Sequence, residues 1–239
     1  MPTFQFPTPR HSPRKPVYSN PMKTFFRLLR LLWGLFLYAL GIVVTMAAHI
    51  GYAPWEVFHV GLANTLGISV GLAAIGTGVV LGLIALMLGE KLGLGTILNM
   101  LLIGVFLDIL LDFRLVPQAG NFAAGLAMMV AGLFIISLAT FFYIGSAFGA
   151  GPRDSLMVAL TKKTKLPVGV CRGAIELTAV LVGWRLGGMV GAGTVIYALA
   201  IGFSVQTTFR ILNFKVALIR HESVDQTWAG IFNKKKDGI

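Results

Sequence analysis

The sequence predicts an all-α membrane protein of six transmembrane helices arranged as two inverted-topology three-helix repeats, and three observations carry that prediction. The first is composition: 56% of the 239 residues are hydrophobic, 12% are Asp, Glu, Lys or Arg, and the mean hydropathy is +0.81. One water-soluble core of this size cannot bury so much apolar side chain. The second is the sorting of positive charge, with 18 of the 20 Lys and Arg falling on one side of the predicted membrane. The third is an internal repeat at a constant offset of 98 residues.

Crossing about 30 Å of hydrocarbon takes roughly 20 apolar residues per helix. Six runs qualify, at residues 28–49, 69–88, 96–113, 122–145, 168–186 and 194–213. Residues 1–22 hold six of the ten prolines and read as a disordered, basic, Pro-rich N-terminal tail; Met22, before KTFFRLLR, also makes a conventional start. Residues 23–120 form the first transmembrane repeat and 121–213 the second. Residues 214–239 are a basic cytoplasmic tail.

Basic residues crowd the N-terminal segment (Arg10, Arg14, Lys15, Lys23, Arg27, Arg30), the region from Arg153 to Arg172, and the C-terminal tail. Only Arg114 and Arg185 lie in loops of the other side. The positive-inside rule then places both termini in the cytoplasm. The net charge of +11 is thereby a topology signal, and nucleic acid is not an expected partner.

Comparing residues 33–112 with 131–210 gives 19 identities in 80 ungapped pairs. Shared composition alone would give roughly 7, so chance is a poor explanation. Gly34-Leu35-Phe36 returns as Gly132-Leu133-Phe134, Pro54 as Pro152, Gly71 as Gly169, and Ile103-Gly104 as Ile201-Gly202. Each repeat holds three spans, an odd number, so the second copy enters the membrane from the opposite side.

The repeated element of greatest interest is GYAPWEVFHVGL, residues 51–62, with its counterpart GAGPRDSLMVAL, residues 149–160. A glycine-containing turn, a proline and a carboxylate two residues later make a helix start: the missing N–H costs nothing there, and Glu56 or Asp154 complements the positive helix end. Two readings stay open. The helices are capped and interfacial, or they dip into the bilayer and present their N-termini to an anionic ligand. Arg153, whose counterpart is Trp55, does not help its own helix start and is expected to meet a carboxylate elsewhere or a ligand.

Trp55, Glu56, His59, Arg153, Asp154, Asp108 and Asn99 are therefore the candidate substrate-binding residues. His59 shares a face with Glu56 at i+3. Asp108, four residues before Asp112, is a candidate proton or cation site, with snorkelling to the interface as the alternative. Asn99 and its counterpart Tyr197 are positioned to line a cavity or to bond between helices. Arg172 and Glu176, four apart, predict a structural ion pair. Thr96 and Thr194 are expected as N-caps.

No cofactor motif is present: KLGLGTIL and MVGAGTVI lack the GK[ST] of a phosphate loop. His11, His49, His59 and His221 show no metal-ligand spacing, and the single Cys171 excludes an intrachain disulfide. An enzyme is not expected, since Asp108, His59 and Glu56 form no paired catalytic motif.

The phrases APWEVFHVGL, GEKLGLGTILNMLLIG, GAGPRDSLMVAL and GAGTVIYALAIG together resemble those of the bacterial YczE/YyaS/YitT-type integral membrane proteins, over roughly residues 28–213. The first motif of that family usually has Gly before the Pro and Asp after the Trp, where this chain has Ala53 and Glu56. The resemblance implies a bacterial cytoplasmic-membrane protein and supplies no substrate. The architecture favours a small secondary transporter or permease-like protein, in contact with the bilayer and with an unidentified solute or ion. A homodimer is permitted by its small-residue faces. The alternative is a non-transporting scaffold or accessory factor for an enzyme or biosynthetic complex, docking through its tails.

Overall fold

The computed structural model describes residues 21–214, so the tails read from the sequence lie outside the described residues except for Pro21 and Met22, which open the first helix, and Phe214. The described chain is helical throughout, with no strand: α1 (Pro21–Ala47), α2 (Pro54–Leu66), α3 (Val70–Met87), α4 (Leu94–Asp112), α5 (Phe122–Gly145), α6 (Pro152–Thr164), α7 (Val168–Arg185) and α8 (Ala192–Ile211). Subtracting 98 from the bounds of α6 and α7 returns those of α2 and α3 to the residue. The sequence repeat is thus a structural repeat of four helices, one of them short, in each half.

Among the described residues five helices, α1, α3, α4, α5 and α8, are long and apolar enough to cross a membrane. The expected sixth, α7, has the length of a span at 18 residues but carries Arg172, Glu176 and Arg185. Large apolar side chains such as Met87, Leu199, Phe203 and Ile211 point outward, as a lipid-facing surface requires.

The core is the crossing of α1 with α5. Small residues bring the two backbones together: a methyl group added at Gly41 would sit about 3 Å from the Ile136 amide nitrogen, and one added at Gly132 would sit 3.0 Å from the Gly41 carbonyl oxygen. Ala39, Ile42, Met129, Leu133 and Ile136 close around this seam. α4 then packs on α1 and α8 on α5, while the short helices cross over, α2 onto α7 and α6 onto α3. Each short helix is therefore held largely by the other half of the molecule.

The chain must leave α1 and α5 to begin the short helices, and it does so twice in the same way. His49 and Ala147 adopt φ of 54° and 63°, followed by Gly51 and Gly149 at 119° and 123°. Only glycine takes the latter conformation without strain. The carbonyls exposed by these breaks are answered across the molecule: Gly193 N–H donates to Ile50 O at 2.7 Å, and Gly95 N–H to Phe148 O at 2.8 Å. Thr96 and Thr194 sit at the third helical position, not at the expected N-cap. Their hydroxyls accept from the N–H of the capping Gly93 and Gly191. Thr96 also donates to Ala150 O at 2.6 Å, tying α4 to the loop before α6.

Gly132→Ala should destabilise the protein by about 1–3 kcal/mol through overpacking at the seam. Gly76→Ala, where a methyl meets nothing within 4 Å, should be neutral or slightly stabilising because alanine favours the helix. Thermal unfolding of the two variants in detergent checks the contrast.

Candidate functional site

A cavity of about 160 Å³ lies between the two halves, at the N-termini of α2 and α6. Its walls obey the repeat: Pro54 and Pro152, Trp55 and Arg153, Glu56 and Asp154, Asn99 and Tyr197, and Ile103 and Ile201 all line it, each pair 98 residues apart. The cavity therefore sits where the two copies of the element face one another.

The proline at the first position of each short helix fixes φ where a donor is not needed, and places the following side chains in the cavity wall. Trp55 and Arg153, equivalent in the repeat, meet each other: the Arg153 guanidinium lies 4.5 Å from the centre of the Trp55 ring. That contact is a cation–π interaction between two half-buried side chains. Among the described residues no carboxylate lies within ion-pair distance of Arg153. Of the two partners the sequence offered, a carboxylate or a ligand, the first is not found among the described residues, and an aromatic ring lies beside the guanidinium.

Glu56 and His59 are 3% and 2% exposed, on the face of α2 turned inward. Because α2 is too short to cross a bilayer, burial in protein sets their titration. It pushes the Glu56 carboxyl above its ordinary range, opposed by the Arg153 charge. It pushes the His59 imidazole well below its ordinary value, with Arg153 acting in the same direction. The His59 Nε2 atom and the Tyr143 hydroxyl, both buried and both belonging to cavity-lining residues, have no hydrogen-bond partner among the described residues. Unsatisfied buried polar atoms are costly, and their convergence on one cavity marks it as a place where a ligand or water completes the bonding. On the far wall Arg172 Nε donates to Glu176 at 2.8 Å, the ion pair expected from their spacing.

Of the seven candidate binding residues, Trp55, Glu56, His59, Asn99, Arg153 and Asp154 line the cavity. Asp108 does not. Its carboxylate accepts from Gly71 N–H at 2.7 Å and from the Ser69 hydroxyl at 2.5 Å, closing the N-terminus of α3 onto α4. Tyr38 and Tyr143 were missed by sequence reasoning. The signal available for Tyr143 was a hydroxyl inside an otherwise apolar span, which calls for a partner. Cys171 is buried, 3.8 Å from the Thr164 hydroxyl, as a structural thiol would be. Among the described residues no group of three His, Cys, Asp or Glu is arranged to hold a metal ion.

Arg153 opposes protonation of Glu56, so removing its charge raises the Glu56 pKa further. In Arg153→Ala the infrared band of a protonated carboxyl, assigned through Glu56→Gln, should persist to a higher pH than in the parent. A band that titrates at the same pH in both would show the two groups to be uncoupled.

Residues 25–210 match the model of a family described as a family of unknown function, DUF6198. The chain is 34% identical over 190 residues to the "Uncharacterized membrane protein YczE" of Bacillus subtilis (strain 168), covering 77% of this chain and 87% of that one. It is 32% identical over 182 residues to an "Uncharacterized protein" of Haemophilus influenzae (strain ATCC 51907 / DSM 11121 / KW20 / Rd), covering 76% and 83% respectively. No solved structure matches. With its apolar helices, its repeated Pro motifs and a match over most of its length, the chain is a membrane protein that belongs to the YczE family, DUF6198.

Proposed function

We propose that this protein is a small secondary transporter of the bacterial cytoplasmic membrane that works by alternating access, rocking two inverted repeats around the central cavity. In this reading α7 is the sixth crossing helix, both termini are cytoplasmic, and the bound solute is moved without chemical change.

The observation that carries the proposal is a glycine pair present twice and packed once. Gly71 of α3 and Gly104 of α4 touch so closely that a methyl on either would overlap the carbonyl oxygen of the other. A methyl added at their counterparts, Gly169 of α7 and Gly202 of α8, would meet nothing within 4 Å. Accordingly α3 packs along α4, whereas α7 and α8 scarcely touch. Two copies of one sequence element in two arrangements are what an inverted-repeat carrier needs, because exchanging the arrangements exchanges the open side.

Charge and polarity fit this assignment. α7 falls short of a hydrophobic span because Arg172 and Glu176 line the cavity beside the gap, where water would reach them. Lys162 at the end of α6 pairs at 2.7 Å with Glu90 in the loop between α3 and α4, within the basic segment that the positive-inside rule places in the cytoplasm. With α3 closed on α4 and α7 parted from α8, the molecule is then in its inward-open arrangement.

Short thiol cross-linkers test the exchange in a Cys171→Ser background. Ser69→Cys with Asp108→Cys brackets the closed α3–α4 seam, and Pro167→Cys with Gln206→Cys occupies the equivalent positions on α7 and α8. In the fourfold variant, bridging one pair should prevent bridging of the other in the same molecule. Bridging of both pairs at once, or failure of the α7–α8 pair to bridge under any condition, would refute alternating access.

A further inference from the structure

We propose that the central cavity binds a small carboxylate, with the Arg153 guanidinium as its two-pronged anchor. This deepens the transporter reading by naming the class of solute, and it rests on that reading only for the statement that the bound molecule is carried.

Arg153 is the group that selects the ligand. Its guanidinium carbon lies 4.5 Å from the centre of the Trp55 ring, a contact that restrains the side chain at the cavity wall. With no protein carboxylate within ion-pair distance among the described residues, its N–H groups are available to an acceptor in the cavity. A planar fork held in this way matches the two oxygens of a carboxylate, forming parallel charge-assisted bonds. Two further features favour an anion. The N-termini of α2 and α6, each helix 13 residues long, both lie on the cavity wall, with Glu56 and Asp154 in their first turns leaving part of each positive end to a ligand. The buried Tyr143 hydroxyl and His59 Nε2 also lack partners among the described residues.

The same walls argue against other ligands. An organic cation would seek the Trp55 face, which Arg153 already covers. A multiply charged phosphate would meet Glu56 and Asp154 with a single arginine free to compensate, whereas one carboxylate balances one guanidinium. Ile42, Ile103 and Ile201 provide apolar wall for a short hydrocarbon portion. A volume of about 160 Å³ favours a small metabolite over a lipid or a drug-sized molecule.

The test is ligand-dependent thermal stabilisation of the detergent-purified full chain, at constant ionic strength, with sodium acetate, L-lactate, L-alanine, sodium phosphate and choline chloride. Parent, Arg153→Lys, Arg153→Ala and Trp55→Ala are compared. At least one carboxylate should raise the Tm of the parent. Arg153→Lys keeps the charge but loses the fork, and should weaken that carboxylate roughly tenfold, the equivalent of one charged hydrogen bond. Arg153→Ala should abolish the shift, and Trp55→Ala should weaken it by releasing the fork. A stronger response to acetate or lactate than to alanine identifies a monoanion, and the reverse a zwitterion; either supports the proposal.

Stabilisation by phosphate or choline with none by a carboxylate overturns it. So does an unchanged carboxylate shift in Arg153→Lys and Arg153→Ala, or no shift with any probe. The cross-linking result stands apart: mutually exclusive seams without carboxylate binding leave the transporter reading and remove this one, while carboxylate binding with no exchange of seams does the opposite.

Discussion

The structure depends on how backbone polar groups are satisfied where two long helices stop inside a largely apolar molecule. In lipid no water is present to accept or donate, so a broken helix is tolerated only where protein completes its bonding. Here the breaks after α1 and α5 are completed by the opposite half, through Gly193 N–H to Ile50 O and Gly95 N–H to Phe148 O. Close approach is what permits this, since a side chain at Gly51 would run into the Gly191 backbone and one at Gly149 into Gly93. Neither half can form its own loop without the other. The cavity follows as a consequence, because these loops deliver Pro54 and Pro152 to the same place.

Pairing of the two copies also decides the chemistry. Had the repeats stayed identical at the residue after the proline, the cavity would hold two tryptophans or two arginines. Divergence gives one of each, and the fold stacks them at 4.5 Å. The ring lets a guanidinium stay near Glu56 without being neutralised by a direct ion pair, so its donors remain available. Arg172, by contrast, is satisfied within its own helix by Glu176 at 2.8 Å and has less to offer a ligand.

Much of this was legible in the chain. A constant offset of 98 residues, read from glycines and prolines, maps onto helix bounds with little adjustment, because those residues mark turns and close crossings that geometry forces to recur. Pattern also placed Glu56, His59, Asn99, Arg153 and Asp154, since polar groups in apolar surroundings are few and costly. What pattern could not supply was which copy meets which. The Trp55–Arg153 contact joins residues nearly a hundred positions apart, and the carboxylate of Asp108, read as either an ion site or a snorkelling side chain, is bonded by Gly71 and Ser69 from another helix start. Thr96 and Thr194 were misplaced for a local reason: glycine at the cap lets a threonine three residues on reach back to its N–H.

On the proposed transport reading, the two seams are equivalent in position but not in strength. The α3–α4 seam is latched by a carboxylate, Asp108, accepting from a hydroxyl and a backbone N–H, with Ser69 also capping α3. At the equivalent positions the α7–α8 seam has Gln206, a neutral amide, and Pro167, which has no hydroxyl and gives α7 no side-chain cap. Hydrogen bonds to charged groups contribute about 1.5–3 kcal/mol against about 0.5–1.5 kcal/mol for neutral ones. The difference biases the empty protein toward the arrangement with α3–α4 closed, which is the one described. On that reading the carrier needs its solute to make up the difference before the other seam can close. On the same reading, the asymmetry of the repeats is where the direction of loading is encoded, while their symmetry supplies the path.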